Sequence, residues 1–156
     1  MNAISLDAAI VITERSKRTW WRRITDGSVT RLENDARGRA MLAFAEVAPL
    51  ICVAVQADDL QMILRADAGD ADAQADVGQM FSNAGKHEAA RYWLQIAADQ
   101  EHADAMQWLG RCYLAGEGVP KDENLGVMWI AKAAALGHVI AQAQMRGLIG
   151  LVSCAP

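Results

Sequence analysis

Two stretches of this 156-residue chain repeat each other. Ala71-Asp-Ala-Gln-Ala-Asp-Val-Gly-Gln-Met-Phe81 aligns with Ala103-Asp-Ala-Met-Gln-Trp-Leu-Gly-Arg-Cys-Tyr113. Ala, Asp, Ala, an aliphatic residue, Gly and an aromatic recur in register. Ala89-Ala-Arg-Tyr-Trp-Leu-Gln-Ile-Ala-Ala98 then aligns with Leu125-Gly-Val-Met-Trp-Ile-Ala-Lys-Ala-Ala134, with Trp93 on Trp129. Each unit therefore reads as a pair of helices, and such pairs bury a core only by stacking on their neighbours. That predicts a mostly α chain built around an α-solenoid.

The two units span 71–102 and 103–138. The second has the longer connection, A-G-E-G-V-P-K-D-E, whose glycines and Pro120 stop one helix before Lys121-Asp122 lead into the next. Weaker half units flank them. Asp59 to Gly69 reads as the second helix of a preceding pair, and Val139 to Met145 as the first of a following one. Small residues at 71, 73, 97, 98, 103, 105, 133 and 134 permit close helix approach. Phe81, Trp93, Trp108, Tyr113 and Trp129 are expected in the core.

The pattern A-x-A-Q-x-x-x-G-x-x-[YF], G-x-G-V-x-x-D, W-x-x-x-A-A-x-x-G resembles the Sel-one-like repeat, a relative of the tetratricopeptide repeat. It is carried most fully by Gly116, Gly118, Val119, Asp122, Trp129 and Gly137. The first unit departs through its shortened loop, S-N-A-G-K-H. The resemblance implies a protein-interaction adaptor, often in bacterial signalling. Repeats of this kind usually bind on the face made by the first helix of each pair. On that face Asp72, Ala75 and Gln79 share a side, with Asp104, Gln107 and Arg111 one unit later. The expected partner contacts are Asp72, Gln79, Asp104, Gln107 and Arg111.

The first fifty residues lack this period. Ser5 caps a short helix to Thr13, Ser16 caps a second over Lys17–Thr25, and Asp26-Gly27 closes it. Ser28–Leu32 and Arg39–Ala43 read as strands around the turn E-N-D-A-R-G. A last helix is expected over Ala45–Val53, with Pro49 in its first turn or at a kink. The expected division is thus 1–57 and 58–156. No Gly, Ser or Pro loosens Ile51 to Asp58, so the halves are expected to pack together.

Charge separates the halves. Residues 1–50 hold eight Lys or Arg against six Asp or Glu, and residues 51–156 hold seven against thirteen. The formal net charge is −4. A basic island on an acidic chain points to a polyanionic partner for the island alone. On a helical wheel Trp20 and Ile24, with Trp21 beside them, form an apolar side for a small core, and Arg15, Arg18 and Arg22 face out, flanked by Lys17 and Arg23. Ser16 and Thr19 stand at the helix start, and Arg31, Arg37 and Arg39 extend the strip. These ten residues are the expected contacts to double-stranded DNA.

The order of elements, with S-L-x-x-A-A, S-x-R-T-W-W-R-R-I-x-D-G-x-V-x-R and G-R-x-x-L, resembles the winged helix-turn-helix of phage excisionases. That resemblance implies a reading helix at 17–25 and a wing on phosphates. Two copies usually share one site. Two features depart from it: the turn after the first helix lacks a glycine, and Glu33 and Asp35 on the wing would repel phosphates. The alternative is a pure adaptor whose basic helix docks on an acidic protein.

Catalytic signals are absent. His87-Glu88-Ala-Ala-Arg91 begins like a zinc motif but ends in arginine, and G-E-G-V-P lacks the Gly-Lys-Ser/Thr of a phosphate loop. His102 and His138 sit at equivalent repeat ends. Asp70, Asp72 and Asp76 read as a solvated acidic face. No enzyme activity, metal or cofactor is expected. Cys52, Cys112 and Cys154 have no pairing or ligand spacing and suit reduced thiols in the cytoplasm. No secretory signal is read at the N-terminus. The apolar run Ala40–Val55 is broken by Glu46 and Pro49 and reads as core, not as a membrane span.

Overall fold

The computed structural model describes residues 2–153, with side chains to Leu148. Cys154 lies outside the described residues. The chain is mostly helical and divides into two compact units, one up to Ala73 and one from Gln74 onward.

The first unit opens with a strand that the sequence reading missed, β1 (Ala3–Ser5). It leads into α1 (Leu6–Thr13), where the Ser5 hydroxyl accepts from the Ala8 N–H. Glu14 turns the chain with φ +53, and α2 (Lys17–Thr25) follows with Ser16 as its cap. The strands are shorter than expected: β2 is Arg31–Leu32 and β3 is Met41–Ala43. They form an antiparallel sheet in the order β1-β3-β2, with Ile4 opposite Leu42 and Leu32 opposite Met41. The expected last helix breaks into α3 (Phe44–Val47) and a 3-10 turn (Ala48–Leu50). Pro49 falls in that turn, where its missing N–H costs no ladder bond.

α4 (Ala57–Ala68), read from sequence as half a repeat, clusters with this first unit and packs on β1. The reason is one buried carboxylate. Asp67 is 5% exposed and accepts from the Ser5 N–H at 2.7 Å, the Ser5 hydroxyl at 2.6 Å and the Arg39 guanidinium at 3.0 Å. Arg39 also donates to the Asp67 carbonyl and to Asp35. Around this node Ile4, Ile12, Trp20, Leu42, Val47 and Ile63 are fully buried.

The second unit holds the pairs. α5 (Ala71–Asn83) and α6 (His87–Asp99) are the first, α7 (Ala103–Ala115) and α8 (Glu123–Ala135) the second, and α9 (Val139–Ser153) follows. Ala97, Ala105 and Ala133 are fully buried, as are Phe81, Trp93 and Leu109. Gly110 explains how closely α7 and α8 approach: a Cβ there would sit 2.8 Å from the Gly126 carbonyl and 2.7 Å from Ile130 Cγ1. The long second-unit loop folds back on the start of α6. At Gly118, φ is +72 and a Cβ would lie 2.6 Å from the His87 carbonyl oxygen. No helix among the described residues is long and apolar enough to cross a membrane.

Candidate functional site

The first helices of the repeats line one open groove of about 460 Å³. α5 contributes Ala75, Asp76 and Gln79; α7 contributes Asp104, Gln107, Trp108 and Arg111; α9 contributes Ile140 and Gln144. His138, from the turn before α9, completes it. The face arises because the 3.6-residue period puts these positions on one side of each helix while Gly78 and Gly110 face the second helices.

The polar groups here are oriented by hydrogen bonds. His138 Nδ1 accepts the Ala141 N–H at 3.1 Å and so caps α9. Its Nε2 lies 3.0 Å from Asp104 Oδ1, which fixes the tautomer as Nε2–H. His102 Nδ1 accepts the Ala105 N–H in the same way one unit earlier. The two histidines are therefore equivalent helix caps. Gln107 is 4% exposed and donates from Nε2 to Gln144 Oε1 at 3.2 Å. The Arg111 guanidinium lies over the Trp108 ring, 4.6 Å from its centroid.

Four of the five expected partner contacts, Gln79, Asp104, Gln107 and Arg111, are thus brought together. Asp72 is exposed in the first turn of α5 and does not line the groove. Three groups were misread or missed. Trp108 is half-buried groove wall, not core. Asp76 lines the groove, where the sequence suggested only a solvated face. Ile140 is 60% exposed at the groove's α9 side. A signal existed for each: Trp108 aligns with Asp76, and Ile140 with Asp72 and Asp104. A register position that tolerates a carboxylate is not core.

Around α2, Trp20 is fully buried as expected, but Trp21 is not on the core side: it is 40% exposed, with the Arg31 guanidinium 5.7 Å from its ring centroid. Lys17, Arg18, Arg22, Arg31 and Arg37 are exposed. Arg15 and Arg23 are half-buried, their Nε atoms enclosed with no hydrogen-bond partner among the described residues. Ser16 and Thr19 bond each other at 2.9 Å at the helix start. Arg39 is held by Asp35 and Asp67 and works inside the fold, a correction to its expected place on the basic strip.

Three carboxylates near this face accept internal hydrogen bonds, although Asp26 and Glu46 are exposed; Glu33 on the wing is exposed too. Asp35 accepts the backbone N–H groups of Arg37 and Arg39 and the Arg39 guanidinium. The Arg39 backbone N–H and guanidinium hold its carboxyl below the usual range. Asp26 accepts from the hydroxyl and N–H of Ser28, which lowers it likewise. Glu46 accepts the Thr30 N–H at 2.6 Å.

A family model described as Sel1 repeat matches residues 71–102 and 103–138. Residues 71–138 are two Sel1 repeats. The crystal structure of a Sel1 repeat protein from Oxalobacter formigenes is similar, with 31% identity and a TM-score of 0.54. The match covers 67% of this chain and 32% of that one, so the chain spans about a third of that protein's length. No curated protein matches the chain. The Sel1 repeats imply a protein–protein interaction module. Among the described residues no group of three or more His, Cys, Asp or Glu is placed to hold a metal ion. Cys112 is buried, which pushes its thiol up and away from the reactive thiolate.

Proposed function

We propose that the chain is a non-catalytic regulator with two binding surfaces. The Sel1 groove takes a segment of a protein partner. The cationic face of α2 and the β2–β3 hairpin lies on duplex DNA. The observation that carries the DNA reading is the disposition of charge: Lys17, Arg18, Arg22, Arg31 and Arg37 face solvent, while Asp26, Asp35 and Glu46 are occupied by internal donors. Asp35 is partly offset by its ion pair with Arg39, whereas Glu33 stays exposed on the wing and counts against the DNA reading. Arginine on an exposed helix face suits both phosphate oxygens and guanine edges.

The test is binding to a labelled random duplex at two salt concentrations. Roughly four or five phosphate contacts give a slope of log K against log salt near −4, and Arg18→Ala with Arg22→Ala reduces its magnitude by about 2. A slope unchanged by the double substitution contradicts the reading. A second reading rests on Trp21: an exposed tryptophan beside Arg31 is also the composition of a protein hot spot. Absence of duplex binding even at low salt turns α2 into a docking face for an acidic protein.

A further inference from the structure

We propose that the Sel1 groove selects an extended segment carrying an acidic side chain for Arg111 and a basic one for Asp76, with its backbone held by Gln107 and Gln144. This rests on the groove being the partner site. Of the groove's three charged side chains, Asp104 already accepts a hydrogen bond from His138 Nε2, at 3.0 Å. Arg111 is exposed and makes no ion pair among them. Its guanidinium lies over the Trp108 ring, 4.6 Å from the centroid, and its N–H groups can fork onto a carboxylate. Asp76 is exposed, with no hydrogen-bond or ionic partner among the described residues. The groove therefore presents one unmet cation and one unmet anion.

The amides specify the ligand's backbone state. Gln107 and Gln144 spend one donor and one acceptor on each other. Gln107 Oε1 and Gln144 Nε2 remain, an acceptor and a donor from neighbouring helices. They complement one peptide N–H and one peptide C=O. A helical ligand has already satisfied those groups internally, and an extended one has not. Exposed charges at such a site set specificity more than affinity, so charge preference is the quantity to read.

The full chain is immobilised and a displayed library of random heptapeptides is selected on it. Enriched peptides are expected to carry Asp or Glu at one position and Lys or Arg at another. Arg111→Glu cuts the acidic preference about tenfold and leaves the basic one. Asp76→Lys does the converse. Both sites are exposed, and circular dichroism checks that the variants keep their helices. Gln79→Trp, which fills the groove, abolishes enrichment. Peptides blocked by Gln79→Trp whose charge preference neither reversal moves overturn this proposal and leave the groove reading intact. No enrichment, or enrichment indifferent to Gln79→Trp, overturns the groove reading and this proposal with it.

Discussion

Asp67 concentrates more of the first unit's stability than any sequence pattern around it suggests. Its buried carboxylate answers donors from Ser5 and Arg39. Removing one partner of a buried ion pair strands the rest, so Asp67→Ala is expected to cost about 3 kcal/mol, read by urea denaturation. A loss under about 1 kcal/mol contradicts that. Asp26, Asp35 and Asp70 are each held below the ordinary carboxylate value of 3.8, Asp70 chiefly by Arg65. A depressed folded pKa contributes stability that is complete above the ordinary value and is lost as pH falls through the folded one. The melting temperature should therefore be insensitive to these groups near neutrality and decline below about pH 4. At this scale the local caps were legible, because Ser5, Ser16 and Asp122 bond N–H groups three residues on. Asp67 was not, since Ser5 is 62 positions away. Trp108 was misread because an aromatic on a periodic helix is usually core.

Helices carried their own evidence, through periodicity, caps and breakers. β1 did not: three residues are too few to alternate, and the strand exists because β3 offers it a partner. α4 looks like a repeat helix by pattern yet clusters with the first unit, because its buried Asp67 and Ile63 face β1 and the Arg39 loop. A fragment beginning at Asp58 should leave α4 open to amide exchange, where the full chain protects it. Equal protection in both refutes the assignment. Between α7 and α8, Gly110→Ala forces a methyl onto the Gly126 carbonyl and should cost about 1–3 kcal/mol. Gly147→Ala, also helical but with nothing within 4 Å, should instead stabilise by up to about 1 kcal/mol. If the two substitutions behave alike in thermal denaturation, close approach is not the reason for Gly110.

At the scale of the whole chain, two kinds of sequence order accompany two kinds of surface. The repeat predicted that the first helices of stacked pairs share one side, and that side carries the groove. The individual lining residues were less legible, because the groove walls are assembled from three helices and His138 enters from a turn. The central claim is that this groove, and not the second-helix side of the array, receives a protein. Its most direct test is site-specific photo-crosslinking in cells. A photoreactive residue is placed at Gln79 in the groove or at Met128, exposed on α8. The account predicts a discrete crosslinked partner from Gln79 and none from Met128. The same partner captured from Met128 alone would contradict it.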